Sequence, residues 1–365
     1  MRSPPTKALT SKEKDLLWRY RYFLAGEEKA LTFFLKCVDW ENQGEVLQAV
    51  KLLGKWAPIQ VDDALELLSS TFTHPQVRSH AVASLESASD SNLLLFLLQL
   101  VQALKYDFPG DEGGSSNLCC FLIKRSLRSH VFAVSFYWCS SLCIISSCIK
   151  GPSFAVFRCV HAQCRDKLTG KEGGEFAIRI YKNAPGTQSL LKDLCRQRKL
   201  ISALKRLSLK LRDMRTSRPS KVFFLLFTST VSCYLLRTRK VEKLRKSLLR
   251  SSGLLNFKGC SLPLSPELTV TGIESETADI LKSVMQPLCL TFLTIHGCKY
   301  RIIFKSGDDL RQDQLTIQLF KLMDELLRKE QLDLKLTPYR VLATDVDTGM
   351  LLNPNKLILL NACFL

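Results

Sequence analysis

A chain of 365 residues, 46% apolar and 24% charged, is long enough for two or three buried cores and too apolar to be disordered throughout. Its opening stretch, MRSPPTKALTSKEK, lacks the apolar run of a secretory leader, which predicts a cytoplasmic protein whose 14 cysteines are free thiols. The cluster Cys139, Cys143, Cys148, Cys159, Cys164 lacks zinc-ligand spacing, so no metal site is expected there.

The net charge of +18 is local. Lys192 to Arg250 holds 18 Lys/Arg against 3 Asp/Glu, which leaves only +3 for the rest of the chain. Such a segment suits an anionic partner, or it is a solvated helix face. Nothing else in the composition calls for nucleic acid.

In chain order, residues 1–10 read as a disordered N-terminus. Thr10 and Glu13 then form a capping box before a helix through Leu16, Leu17, Tyr20 and Phe23. Helical signals recur over Lys29–Val38, Glu45–Gly54, Asp62–Ser69, Gln76–Leu85 and Ser91–Lys105. Ala30-Leu31 and Ala64-Leu65 lie 34 residues apart, a period expected of stacked helical hairpins in an α-solenoid. Pro109–Asn117 is a loop, and another helix starts near Leu118.

Val131–Ile149 carries no charge and reads as a membrane span or a buried helix. Ser189–Asp213 is an amphipathic basic helix. Beyond Leu262 the texture changes to strands: Leu268–Ile273, then a hairpin of Leu288–Ile295 and Tyr300–Lys305 turning at His296-Gly297. Gln312–Lys329 is a strong helix, and Tyr339–Thr344 is another strand. An all-α region therefore precedes a small α+β unit.

Lys305 ends an apolar strand and is followed at once by Asp308, Asp309 and Asp313. Taken alone, this is a surface turn or a phosphate-handling lysine with an acidic partner on the next helix. The word Ile303-Phe304-Lys305-Ser306-Gly307-Asp308-Asp309-Leu310-Arg311-Gln312-Asp313 closely resembles the kinase N-lobe motif of the phosphatidylinositol 3-kinases. Leu31–Lys36, Leu52–Trp56, Leu97–Lys105 and Leu332–Thr344 resemble the class III members, the lipid kinases of vacuolar sorting.

The resemblance implies a helical accessory domain at 11–138, a divergent insert and loop at 139–184 and a basic helix at 185–221. An apolar insert at 222–240, a linker at 241–261, a kinase N-lobe at 262–351 and an unrelated tail at 352–365 complete the layout. The abrupt texture of 139–165, 222–240 and 352–365 points to coding sequence foreign to the family. The resemblance also implies ATP with Mg²⁺ and phosphorylation of phosphatidylinositol at the 3-hydroxyl, in endosomal trafficking and autophagy.

By the same resemblance Lys305 contacts the ATP phosphates and Asp313 is its acidic partner. Tyr339 lies beside the adenine, and Ser283, in the short loop Lys282–Pro287, lies near the phosphates. The Asp-Arg-His catalytic word and the Asp-Phe-Gly metal motif are absent, so no catalytic residue or Mg²⁺ ligand is assigned. With the C-lobe absent, these residues are expected to be inactive alone. Asp345-Val346-Asp347 sits in a turn and does not match the metal position. The implied partners are a phosphatidylinositol membrane, a regulatory kinase-like scaffold and an autophagy coiled-coil subunit, with peripheral placement at endosome or autophagosome membranes. A non-catalytic helical binding module, or a membrane protein spanning at 131–149, are the alternatives.

Overall fold

The computed structural model describes residues 9–106, 118–145, 187–214, 229–250, 254 and 256–352. The chain divides into two compact units, the first ending at Ser129 and the second beginning at His130.

The first unit is helical: α1 (Ser11–Arg19), α2 (Arg21–Leu24), α3 (Leu31–Leu35), α4 (Gln43–Leu53), α5 (Val61–Leu67), α6 (Pro75–Glu86), α7 (Asp90–Leu95), α8 (Leu97–Ala103) and α9 (Leu118–Arg128). The expected capping box is present. Thr10 Oγ1 accepts the Glu13 N–H at 3.3 Å, and Glu13 Oε2 accepts the Thr10 N–H at 2.8 Å. The core of the unit forms around Phe34, which stacks on Trp18 and Trp56 with centroids 5.9 and 5.1 Å away.

Neighbours α5 and α6 pack most extensively, and α1 on α3, α3 on α5 and α4 on α6 pack across one intervening helix. Lys29 follows this spacing, pairing with Asp62 at 3.1 Å and Asp63 at 2.8 Å. The single helix expected over Ser91–Lys105 breaks at Phe96, where φ −107° and ψ 10° leave the helical region and start α8 afresh.

The second unit opens with α10 (His130–Ile145), α11 (Thr187–Arg212) and α12 (Ser229–Arg250). Strands β1 (Asn256–Leu262), β2 (Ser265–Ile280), β3 (Leu288–Thr294) and β4 (Lys299–Ser306) follow, then α13 (Arg311–Lys329), β5 (Val341–Asp345) and β6 (Thr348–Leu352). The strands form one antiparallel sheet in the order β1-β2-β3-β4-β6-β5. The β3–β4 hairpin turns at Gly297, whose φ of +77° is the left-handed conformation a glycine adopts at no steric cost. Leu290, Phe292, Ile302 and Phe304 are fully buried at the middle of the sheet.

The helix starting at His130 groups with the second unit. Two expectations change here. The stretch 241–261, expected as a linker, is the second half of α12 followed by β1. Finally, α10 is a core helix. Phe132, Val134, Phe136, Tyr137 and Trp138 are all buried, and α10 packs on β2 and β5. A helix covered on all sides by protein needs no charge, which is why the run resembles a membrane span. No helix among the described residues is long and apolar enough to cross a membrane. Residues 146–149, Cys148, Cys159 and Cys164 lie outside the described residues, as does most of the expected insert at 139–184.

Candidate functional site

Sheet register assembles the site. Leu288 opens β3 opposite Phe304, so the β2–β3 loop, residues 281–287, meets the end of β4 where Lys305 stands. That loop is closed on itself. Leu281 N–H donates to the Pro287 carbonyl at 3.0 Å, and Gln286 N–H donates to the Ser283 carbonyl at 3.1 Å. Gln286 adopts φ +48°, and Ser283, Val284 and Met285 are exposed at the loop tip.

Beyond Lys305 the chain turns at Gly307, with φ +89°. A side chain there would meet Arg212 Nη1 at 2.5 Å and Met285 Sδ at 3.5 Å, so the loop tip and this turn are in contact range. The turn is held from the other side by β6. Gly307 N–H and Asp308 N–H both donate to the Asp347 carbonyl, at 2.6 and 3.2 Å. Gly349 lies opposite Lys305 in the β4–β6 pairing, with its Cβ position 2.6 Å from the Leu342 carbonyl.

Lys305 Nζ donates to Asp308 Oδ2 at 2.9 Å, with the two side chains 27% and 41% exposed. Its partner is thus Asp308, whereas the sequence pointed to Asp313. Asp313 is exposed in the first turn of α13, where the helix dipole favours a carboxylate. Asp309 pairs with Arg311 at 2.7 Å instead. The turn therefore uses its acidic residues separately, one on Lys305 and one on Arg311. Tyr339 is half-buried just before β5. Its neighbour Arg340 donates to Ser265 Oγ at 2.9 Å and pairs with Glu267. Gln314 Oε1 accepts the Ala343 N–H at 2.9 Å, which ties α13 to β5.

Three basic residues that sequence reading passed over brace this end of the sheet. Lys205 bridges Asp345 and Asp347 at 2.9 and 2.7 Å. Burial alone would lower the Lys205 ammonium, but its hydrogen bonds to Asp347 and Asp345 outweigh that and raise it. Arg212 Nη1 donates to the Ser306 carbonyl at 3.4 Å. Lys240, only 3% exposed, donates to Gln286 Oε1 at 2.8 Å, and burial holds its pKa below the ordinary lysine value. Their partners lie 46 to 142 positions away, so no local pattern could have found them.

The setting suits an anion of phosphate type: the Lys305 ammonium and the exposed tip of the 281–287 loop lie at one sheet end. It does not suit a metal ion. Among the described residues no group of three or more His, Cys, Asp or Glu is placed to hold one.

Comparison with known proteins gives the family. The family model for the phosphoinositide 3-kinase accessory domain matches residues 1–156, and that for phosphatidylinositol 3- and 4-kinase matches residues 299–354. The phosphatidylinositol 3-kinase pik3 of Schizosaccharomyces pombe is 40% identical over 349 residues, which is 95% of this chain and 39% of that protein. The root isoform of phosphatidylinositol 3-kinase from Glycine max is 37% identical over 356 residues, 96% and 39% of the two chains. Phosphatidylinositol 3-kinase VPS34 of Saccharomyces cerevisiae is 33% identical over 361 residues, 95% and 41% of the two chains. The chain thus spans about two fifths of the length of the curated relatives it matches.

Proposed function

This chain belongs to the phosphatidylinositol 3- and 4-kinase family, and from that premise we propose that its second unit forms the phosphate-facing half of an ATP cleft serving 3-phosphorylation of phosphatidylinositol. The observation that carries the reading is the convergence of Lys305, the 281–287 loop and the Gly307 turn at one end of the sheet. Lys305 meets the phosphates, Ser283 lies beside them and Tyr339 flanks the adenine. Asp308 aims the Lys305 ammonium, and Asp313, in the first turn of α13, is the acidic residue that the family resemblance pairs with it.

ATP supplies the phosphoryl group, and the family's divalent metal would neutralise its charge. The residues described here offer no ligand set for that metal, so no step runs through it. These 365 residues carry neither the Asp-Arg-His nor the Asp-Phe-Gly word. They therefore bind and orient nucleotide without transferring phosphate by themselves. The first unit is a solenoid-type accessory domain, and the setting is peripheral, at endosomal or autophagic membranes.

Titration of the full chain with a fluorescent ATP analogue tests the reading. Lys305→Ala is expected to weaken binding by roughly tenfold or more, the loss of a charge-assisted contact, with little change in melting temperature. Unchanged affinity would overturn it. Conversion of phosphatidylinositol to its 3-phosphate by the chain alone, above the Lys305→Ala background, would overturn the inactivity.

A second reading, partner docking by the helical unit, is favoured by the exposure of Leu16, Tyr20, Tyr22 and Phe23 on α1 and α2. The partner would be a regulatory kinase-like scaffold, with a coiled-coil subunit joining through it. Co-purification with that scaffold, lost in Tyr22→Ser/Phe23→Ser, is the expected result.

A further inference from the structure

Helices α11 and α12 form an open groove of about 690 Å³ lined by Lys210, Met214, Arg239, Glu242, Lys243, Lys246, Ser247 and Arg250. Arg239, Lys243, Lys246 and Arg250 are spaced by four, three and four residues, so they form one stripe along α12. Lys210 and Met214, near the C-terminal end of α11, line the same groove.

The same two helices carry other cations that are fully used. Lys205 pairs with Asp345 and Asp347, Arg237 pairs with Asp279 at 2.7 Å, and Arg245 Nε donates to the Ala278 carbonyl at 3.1 Å. Among the described residues, none of the five groove cations has an ion-pair partner. Some cations of these helices thus hold them to the sheet, while these five face the groove.

Like charges at helical spacing weaken a helix, and the one carboxylate in the lining, Glu242, offsets only part of the stripe. A solvated basic face would be convex and would spread its charges. This one converges, with Met214 among its lining and a volume within the range, roughly 300–1,000 Å³, of small-ligand sites. Arg239 and Arg250 offer guanidinium forks that suit phosphate oxygens bidentately, and the lysines add point charge.

We propose that this groove binds multiply charged phosphate groups, from an anionic lipid headgroup or from a soluble polyphosphate of similar size. The inference does not rest on the nucleotide reading, because no residue of the groove belongs to the Lys305 site.

The test uses the full chain with two probes: inorganic tripolyphosphate, and vesicles of phosphatidylcholine with or without phosphatidylinositol 4-phosphate. Lys243→Glu/Lys246→Glu is compared with Lys51→Glu/Lys55→Glu, which makes the same net charge change on exposed lysines of the first unit. Both variants are checked for an unchanged melting temperature. Lys243→Ala/Lys246→Ala serves if the charge reversal unfolds the chain.

Binding that falls with added salt and weakens by about tenfold or more in the groove variant, against about twofold in the control, is expected. Vesicle binding that requires phosphatidylinositol 4-phosphate and is lost in the groove variant assigns the headgroup. Tripolyphosphate binding without vesicle binding assigns the soluble source. Equal losses in both variants, no binding of either probe, or displacement only by single-stranded RNA would overturn the proposal. Lys305→Ala is expected to leave groove binding intact, which separates its failure from failure of the nucleotide site.

Discussion

Lys205 Nζ lies 2.7 Å from Asp347 Oδ1, and the backbone carbonyl of the same aspartate receives the Gly307 and Asp308 N–H groups. One ammonium on α11 thereby steadies the β5–β6 turn, and that turn steadies the segment bearing Lys305 and its partner Asp308. The pair is partly exposed, so its own contribution is modest. Its reach lies in the backbone bonds behind it.

Lys205→Ala is expected to cost about 1 kcal/mol, the scale of a screened pair with two hydrogen bonds. It should also weaken binding of an ATP analogue several-fold, roughly threefold to tenfold. Chemical denaturation and analogue titration read the two effects separately, and Lys205→Arg should restore part of both. Lost stability with unchanged nucleotide affinity would show that the brace ends at the turn.

Gly349 faces a different constraint. A Cβ there would lie 2.6 Å from the Leu342 carbonyl, 2.7 Å from Leu310 Cδ1 and 3.1 Å from Ala343 Cα. Two of these are backbone atoms of β5, so the edge strand must move to admit a methyl group. Gly349→Ala is expected to destabilise the unit by about 2 kcal/mol or more. Gly297→Ala meets no such neighbours and should cost less, roughly 1 kcal/mol, through its positive φ alone. Urea midpoints of the two variants give the comparison, and equal losses would remove the steric account.

Asp193 joins α11 to β1. Its Oδ1 accepts the Ser261 N–H at 3.0 Å, and Oδ2 accepts Gln197 Nε2 at 2.9 Å along with the Ser261 hydroxyl. Burial would raise this carboxyl. Hydrogen bonds from His130, Ser261 and Gln197 outweigh burial and hold it below the ordinary aspartate value. A depressed carboxyl stabilises the fold above its unfolded pKa, and that stability is lost as pH falls through the folded value. The loss should therefore set in below about pH 4. Asp193→Asn is expected to flatten the acid limb of stability against pH. An unaltered limb would place the acid sensitivity elsewhere, at Asp347 for instance, whose carboxyl is held down by Lys205 and Thr348 against its burial.

Phe132, on α10, is fully buried. Phe132→Ala is expected to cost about 3–5 kcal/mol, as a large-to-small change in a packed core does. The same residue on a lipid-facing span would cost far less. Thermal melts measure the loss, and a melting point unchanged within error would return the Val131–Ile149 run to the membrane alternative.

Much of this molecule is legible locally. The Thr10 cap, the Gly297 hairpin and the 3.6-residue periodicity of the helix at 311–329 depend on neighbours within a few positions, and the structure places each where the pattern does. The word around Lys305 identifies the family because it is long and specific. What local pattern could not supply is pairing. The family resemblance implies Asp313 as the carboxylate for Lys305, and in the structure the Gly307 turn brings Asp308 to the ammonium. Local pattern read α10 as a possible span, because an apolar run looks the same whether lipid or protein covers it.

By itself, then, the sequence determined the family, the succession of helices and then strands, and the presence of a lysine at a strand end followed by an acidic turn. Those properties follow from local periodicity, turn chemistry and motif. Tertiary structure decided which carboxylate holds Lys305, and that Lys205, Arg212 and Lys240 brace the site from more than 40 positions away. It also decided which cations of the basic segment are tied down and which line an open groove. The physical reason is that an ion pair forms between groups within about 4 Å in space, and sheet register and helix packing set that distance, while spacing along the chain does not.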